Sequence, residues 1–296
     1  MDAFRITSWR LRLAHRAAAG ITAVLWLAST AAPGAHEAQW VLLGKVAAHV
    51  DRFQAEFSRV VGQESYTQAQ HDIGRNRTRN RHLLSEVFFF GTTDEGGALV
   101  VRNVRRVDGR SVRDVGARIA EALALPAERR WIALRALANA NARYNLGPLR
   151  RNFNEPTLAL LFGSTSLKPR FAFTSGGHEE FEGRRLLRLD FSELLRPTVI
   201  RDGREGSDIP ASGTLWVDEA GVVWRTRLAL ETTDGTHAEV TVKYAVDARL
   251  QLMVPVSMEE DYRVLGNRPG RGTLITGRAS YSNYRRFETS GRILTP

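Results

Sequence analysis

The sequence predicts an α+β protein in which an antiparallel sheet curls, as an unclosed half-barrel, around helices. Three observations along the 296-residue chain predict it. A helical pattern follows the first 35 residues, further helical segments fill the middle, and from about residue 170 apolar and polar side chains alternate with the period of a strand. A sheet with one apolar face must bury that face, and the helices are the available cover.

Residues 1–35 have the three parts of a cleavable secretory signal. A basic stretch from Arg5 to Arg16 precedes an apolar run from Ala17 to Leu27 and a small-residue segment from Ala28 to Ala35. The apolar run is shorter than the ~20 residues that a bilayer span needs. We expect cleavage after Ala31, Ala32 or Ala35, and an uncleaved N-terminal anchor is the alternative. The mature protein is then periplasmic or secreted, and not an integral membrane protein.

Composition excludes several classes of site. The chain has no cysteine, which excludes a lipobox, disulfides, a thiol nucleophile and cysteine-ligated metal. Its formal net charge is +10. For an exported protein, anionic lipid headgroups or acidic glycans suit this charge better than nucleic acid, which we do not expect as a partner. A solvated arginine-rich surface is the simpler explanation.

Helical spacing marks four segments. In the first, Trp40–Val61, apolar residues form a broad stripe that is suited to packing on a sheet. The others are Ser111–Leu125, Glu128–Tyr144 and the short Pro156–Phe162. These three form a helical insert at about residues 111–165 of a single domain that spans residues 36–296.

Strand patterns lie on both sides of this insert. Before it, Leu83–Phe90 and Ala98–Val104 are predicted strands joined by a turn at Thr92–Gly97, and Asp108-Gly109 is a second tight-turn signal. After it, residues 222–231 and 238–246 alternate strictly and are joined by a turn that contains Asp234-Gly235. The remaining predicted strands are Leu186–Phe191, Gly213–Asp218, Leu250–Tyr262 and Leu274–Phe287. Strands joined by short turns make an antiparallel meander.

The succession of these strands resembles the LolA-like family of periplasmic lipoprotein carriers and sensors. The resemblance is carried by GTLWVD at 213–218, GVVWR at 221–225, VTVKY at 240–244 and LMVPVSM at 252–258. The long helix after the signal also matches, whereas the insert is larger than a minimal carrier of the family has. The resemblance implies a half-barrel whose concave apolar face, covered by helices, holds acyl chains.

The candidate ligand-binding residues are those of the apolar strand face. They are Trp224, Leu228, Leu230, Val240, Val242, Tyr244, Val254, Val256 and Met258. A helical cover can occupy such a face when no ligand is bound, and burial of an acyl chain gains ~0.8 kcal/mol per CH₂. A fully packed core without a cavity has the same sequence pattern and is the alternative.

Known catalytic signatures are missing. The sequence has no HExxH, no GxSxG, no P-loop and no GxGxxG between a strand and a helix. His71-Asp72 and His178-Glu179-Glu180 lack a second histidine at ligand spacing and are interpreted as solvated residues. We therefore expect no catalytic residues, no metal and no cofactor.

One arginine cluster, Arg102, Arg105 and Arg106, is a candidate anion contact. These residues lie beside the predicted turn at Asp108-Gly109, and a guanidinium matches a phosphate or carboxylate with two parallel hydrogen bonds. Pairing with acids of the chain, such as Glu155, is the simpler alternative.

Three functions fit these features. The first is an exported, non-enzymatic protein that binds a lipid, a lipoprotein acyl chain or another apolar ligand in the half-barrel. The second is an envelope sensor or scaffold that binds a protein partner through the insert, with an exposed apolar patch around Trp131, Leu134 and Leu137. The third is an enzyme without a familiar motif.

Overall fold

An antiparallel sheet of 11 strands forms the body of the protein. The structure, a computed structural model, describes residues 4–6, 33–91, 99–112, 116–149, 153–202, 206–232, 235–266 and 271–287. In chain order the strands are β1 (Phe4–Ile6), β2 (Val60–Asp72), β3 (Arg77–Phe90), β4 (Leu99–Val107), β5 (Arg110–Ser111), β6 (Phe171–Phe181), β7 (Arg184–Glu193), β8 (Ile200–Asp202), β9 (Asp208–Ile209), β10 (Ala211–Val217), β11 (Val223–Glu231), β12 (His237–Asp247), β13 (Leu252–Leu265) and β14 (Gly272–Arg286).

The large sheet has the order β5-β4-β3-β2-β14-β13-β12-β11-β10-β7-β6, and each neighbouring pair is antiparallel. Its two edges are β5 and β6, which do not pair with each other in the described chain. The predicted fold class, an α+β protein with an unclosed half-barrel, is confirmed. A separate three-stranded sheet joins β1, β8 and β9.

The helices are α1 (Pro33–Phe57), α2 (Gly116–Ala124), α3 (Ala127–Asn141) and α4 (Leu158–Leu161). Helices α1 and α4 pack in the main core, on the concave face of the sheet. Helices α2 and α3 pack on the opposite, convex face, where α3 contacts β4. The insert between β5 and β6 therefore covers both faces of the sheet rather than the concave face alone.

Residues on the first strands alternate between the two cores. Val60 and Phe89 belong to the concave core, whereas their chain neighbours Val61 and Phe88 belong to the convex one. This is the period-two alternation of side chains along a strand. It explains why these strands contain unbroken apolar runs such as Phe88–Phe90, since both of their faces are buried.

The first helix differs from its predicted bounds. It ends at Phe57, and β2 begins at Val60, so the predicted extension through Val61 is wrong. Val60 and Val61 continue the helical stripe but are equally suited to a strand buried on both sides. The rest of β2 was not predicted because its inward positions include Glu64 and Gln68, both buried and polar, which conceal the alternation.

The tight turn at Asp108-Gly109 is confirmed, with φ angles of 51° and 79° that suit a primed hairpin turn. The turn predicted at Thr92–Gly97 lies outside the described residues, as does Asp234.

Of the predicted signal, residues 7–32 lie outside the described part, and β1 and the first turn of α1 lie inside it. The signal stays a prediction. Within the described residues, every helix is too short or too polar to cross a bilayer.

Candidate functional site

The concave face brings together seven of the nine predicted ligand-binding residues. Each of them is at most 3% exposed and belongs to the concave core. They are Leu228, Leu230, Val240, Val242, Tyr244, Val254 and Met258. The strand register places Leu228 opposite Val240 and Val242 opposite Met258. These side chains form a continuous apolar surface across β11, β12 and β13.

Trp224 lies elsewhere because of a β-bulge. Trp216 pairs with Arg225 and Val217 pairs with Val223, which leaves Trp224 as the extra residue of β11. Its indole N–H donates to a carboxylate oxygen of Asp218 at 2.9 Å, and the Arg184 guanidinium lies 3.8 Å from the ring centroid. Trp224 is only half-buried and is not part of the concave core.

Val256 also occupies a bulge. Lys243 pairs with Ser257 and Tyr244 pairs with Pro255, so Val256 has no partner on β12. It is partly buried and packs against the rim of the concave core. Bulges reverse the inward and outward positions locally, and strict alternation cannot locate them.

A segment of the insert, residues 153–162, packs with α1 in the concave core, where α4 contacts β10 and β11; we call it the plug. Its apolar side chains are at most 6% exposed: Phe153, Leu158, Ala159, Leu160, Leu161 and Phe162. Phe162 stacks on Phe171 with ring centroids 4.6 Å apart, and Phe153 packs edge-on against Tyr262 at 5.9 Å.

A small pocket lies beside the plug. It is partly open, lies between α1, β3, β4 and the plug, is lined by Phe53, Phe57, Phe89 and Leu161 among others, and has a volume of about 20 Å³. This pocket has room for about one water molecule and not for an acyl chain.

Polar groups hold the start of the plug. Asn154, which is 2% exposed, donates from its side-chain amide to Glu260 at 3.2 Å. The backbone carbonyl oxygen of Asn154 accepts a hydrogen bond of 2.8 Å from the Arg102 guanidinium. Farther along, the Tyr244 hydroxyl donates to the carbonyl oxygen of Pro156 at 2.6 Å.

Glu260 and Glu64 are two buried carboxylates under the plug. Glu260 is 4% exposed and accepts hydrogen bonds from the hydroxyls of Tyr66 and Tyr262 at 2.8 and 2.9 Å. Glu64 is 1% exposed and accepts from Arg102 Nε at 3.0 and 2.9 Å. A buried charge requires such partners, because desolvation costs several kcal/mol per ion. Sequence reasoning missed both acids, since a polar residue at an inward position looks like a break in the apolar pattern.

The three arginines proposed as an anion contact have different surroundings. Arg102 is largely buried and already bonded to Glu64 and Asn154. Burial alone would lower the pKa of Arg102, but the charges of Glu64 and its neighbours raise it above the usual value, so the residue stays charged. Arg105 is half-exposed and 3.8 Å from Glu86, and Arg106 is exposed. The anion that Arg102 contacts in this structure belongs to the chain itself.

Glu155, inside the plug, is a third buried acid. It is 8% exposed. Burial raises the pKa of this carboxyl to about 8, against the opposing effects of the Arg102 charge and a hydrogen bond from the backbone of Val100. At neutral pH Glu155 therefore holds a proton, and it releases this proton if the plug moves into water.

The remaining acid and histidine candidates lie on strands. His71 is the second-last residue of β2, and its Nδ1 lies 3.1 Å from the Thr78 hydroxyl. Glu179 on the edge strand β6 accepts a hydrogen bond of 2.8 Å from the Trp216 indole N–H. Among the described residues, no group of three or more His, Asp or Glu side chains is arranged to hold a metal ion.

The apolar patch considered for a protein partner is not exposed on α3. Leu134 and Leu137 are 1% and 6% exposed and pack on the convex face of the sheet, with Trp131 partly buried beside them. Ile132 alone among the large hydrophobic residues of α3 points to solvent, at 72% exposure. The helix faces the sheet because the convex side of β2–β4 presents apolar residues, among them Val61, Phe88 and Val101.

No family model matches the chain, and no curated protein matches it. Among solved structures, it is similar to a DUF1329 family protein from Desulfovibrio piger at 11% identity and a TM-score of 0.39, over 83% of this chain and 92% of that one. A Vibrio parahaemolyticus domain described as an outer membrane lipoprotein-sorting protein is similar at 9% identity and a TM-score of 0.36, over 82% and 93%. A LolA superfamily protein from Nitrosomonas europaea is similar at 11% identity and a TM-score of 0.34, over 83% of this chain and 94% of that one. At such low TM-scores, these likenesses carry no argument about function.

Proposed function

We propose that this chain is an exported, non-enzymatic binding protein that holds a lipid, a lipoprotein acyl chain or another apolar ligand in its half-barrel, in exchange for the plug. The observation that carries the proposal is the plug itself. An apolar segment of the chain shares the concave core with the seven predicted ligand-binding residues, contacts β10 and β11, and is held by hydrogen bonds to Tyr244 and Glu260.

The free energies of exchange are of similar size. A chain of ten methylenes gains about 8 kcal/mol on burial, and each large plug side chain contributes about 2 kcal/mol. The plug has five such side chains, Phe153, Leu158, Leu160, Leu161 and Phe162. The free energy lost when the plug leaves and the free energy gained when the acyl chain is buried can therefore nearly cancel, which suits reversible uptake and release.

Polar anchors favour exchange over permanent closure. When the plug leaves, Glu260 keeps its hydrogen bonds to Tyr66 and Tyr262, and Arg102 keeps Glu64. The side-chain amide and the backbone carbonyl of Asn154 then form hydrogen bonds with water, and the Glu155 carboxyl ionises. A ligand with a polar end could replace Asn154 on these groups.

Export follows from the predicted signal, and its cleavage is compatible with the fold. A cut after Ala31 or Ala32 removes β1 and leaves α1 whole, whereas a cut after Ala35 trims the first turn of that helix. N-terminal sequencing of protein recovered from the periplasm tests this step, and recovery of the intact Met1 end would support the anchor instead.

The sensor alternative has weaker support. Of the large hydrophobic residues on α3, Ile132 is the exposed one, and the insert is used to cover both faces of the sheet.

The experiment that tests the proposal is native mass spectrometry with lipid extraction on the purified protein, together with displacement of a fluorescent fatty acid. We expect a co-purifying lipid, or saturable probe binding that a fatty acid displaces. A matched pair of variants locates the site: Leu230→Gln on the concave face should weaken probe binding, and Val246→Gln, 54% exposed near the end of β12, should not. The absence of both a co-purifying lipid and saturable probe binding would contradict the proposal.

A further inference from the structure

The two ends of the sheet differ in their exposed side chains. We call the end that contains the turns after β2, β11 and β13 the hairpin end. The register defines it, since Asp72 pairs with Thr273, Leu265 with Gly272, and His237 with Arg263. The chain leaves β7 at this same end, because Ser192 pairs with Ser212 at the start of β10.

Exposed large hydrophobic residues concentrate at the hairpin end. Of eight such residues in the described chain, four lie there: Ile73 at 44% exposure, Leu265 at 54%, Leu194 at 63% and Leu195 at 48%. Of the other four, two lie on α1, one on α3, and Val246 lies near the other end of β12. Single exposed apolar residues are ordinary, but a group at one end of a sheet needs an explanation.

Ile73 and Leu265 are held in place by neighbouring hairpins. The backbone N–H of Ile73 donates to the Gly272 carbonyl at 3.0 Å, and the Gly266 N–H donates to the Arg271 carbonyl at 3.0 Å. The Leu265 side chain lies against Gly235, so close that a Cβ there would stand 2.7 Å from its Cδ1. Glycines let the hairpins approach closely and leave the two apolar side chains fixed at the tips.

Arginines surround these tips. Arg75, Arg77 and Arg271 are exposed, and the stem of Arg271 lies against Gly74, where a Cβ would stand 3.0 Å from its Cγ. Arg75 is 4.0 Å from Asp72, a partly exposed acid of the same turn. Glu231 is exposed at the end of β11. Among the described residues named here, three arginines stand against two acids around Ile73 and Leu265.

We propose that the hairpin end docks the protein on a membrane surface that contains anionic lipid. Apolar tips ringed by arginine match the interface of a bilayer, where each buried CH₂ gains about 0.8 kcal/mol and each arginine near anionic headgroups about 1 kcal/mol. A bilayer also suits apolar side chains that lie on separate turn tips. This proposal does not rest on ligand binding in the half-barrel and can hold or fail independently of it.

The test is flotation of the purified protein with vesicles of phosphatidylglycerol and phosphatidylcholine, and with vesicles of phosphatidylcholine alone. We expect binding to the anionic vesicles that falls as salt rises, because exposed charges are screened. The double variants Ile73→Ser/Leu265→Ser and Arg75→Glu/Arg77→Glu should each weaken it at least tenfold.

The matched control lies at the opposite end of β12. Val246 is 54% exposed and Arg249 is exposed in the turn that follows, so Val246→Ser/Arg249→Glu makes the same chemical change about 30 Å away along the strand. We expect this variant to bind within twofold of the parent. Thermal melting checks that all variants fold, and Arg77→Gln/Arg271→Gln replaces any that does not. Equal binding by hairpin-end and control variants, or a protein partner that only the parent captures without vesicle binding, would overturn the proposal.

Discussion

The two faces of the sheet are covered in different ways. On the convex face, α2 and α3 bury an apolar cluster that includes Ile119, Leu134 and Phe88, and Asn141 at the end of α3 donates a hydrogen bond of 2.6 Å to the Arg102 carbonyl oxygen. On the concave face, the plug rests on an apolar surface but is anchored through Arg102, Asn154 and two buried acids. The convex cover contacts the backbone of the sheet, whereas the start of the plug contacts buried charged side chains, which can bind water or a ligand in its place. We propose on this basis that the plug is the exchangeable cover.

The largest expected effect comes from the buried charge on the concave side. Arg102→Met leaves Glu64 without its partner in the core, and loss of one member of a buried pair costs about 3–5 kcal/mol. Urea denaturation measures the change in the free energy of unfolding. The double variant Glu64→Met/Arg102→Met removes both charges and should recover much of the loss. A single variant within 1 kcal/mol of the parent would mean that the pair is solvated, contrary to this description.

A second prediction concerns the convex face. Leu134→Ala removes a side chain that is 1% exposed between α3 and the sheet, and such truncations cost about 2–5 kcal/mol. Because we propose ligand exchange at the plug and not at this cover, the fatty-acid probe should bind the folded variant with the parent's affinity. Ile132→Ala, at 72% exposure on the same helix, is the control and should change stability by less than about 0.5 kcal/mol. A change in probe affinity with Leu134→Ala would contradict the proposal that ligand exchange involves the plug and not the helices on the convex face.

The sequence could predict the inward positions of β11 and β12, but not the bulges or the helices on the convex face. Strict alternation in β11 and β12 places Leu228, Leu230, Val240 and Val242 inward, as the structure has them. The same rule could not locate the bulges at Trp224 and Val256, because a bulge changes the count by one residue without a distinctive residue type. Phe88–Phe90, an unbroken apolar run, was the available signal that β3 is buried on both sides and that helices lie outside. Glu64 and Glu260 carry no local signal, since Arg102, Tyr66 and Asn154, which contact them, come from distant parts of the chain.

The third prediction uses the proton on Glu155. The pKa of this carboxyl is about 8 in the folded protein, above its usual value of 4.5, because of burial. The unfolded chain therefore releases the proton at lower pH than the folded one, and this group lowers stability as pH rises from about 4.5 to 8. Glu155→Gln should remove that part of the pH dependence and raise the melting temperature at pH 8.

Probe binding extends this prediction to the plug. If Glu155 ionises as the plug leaves, the affinity for the fatty-acid probe should rise with pH in the parent and stay flatter in Glu155→Gln. His49, whose pKa burial lowers to about 4, stays neutral through this range and does not mask the effect. Parallel pH profiles of probe affinity in the two proteins would show that ionisation of Glu155 is not coupled to departure of the plug.

The most direct test of the exchange is to tether the plug. The chain has no cysteine, so Asn154→Cys/Glu260→Cys introduces one thiol pair at side chains that are in contact, and a short bis-thiosulfonate reagent links them reversibly. Linked protein should lose fatty-acid probe binding, and reductant should restore it, while the unlinked double variant sets the baseline. Unchanged probe binding with the plug linked would contradict the account that ligand and plug compete for the concave face.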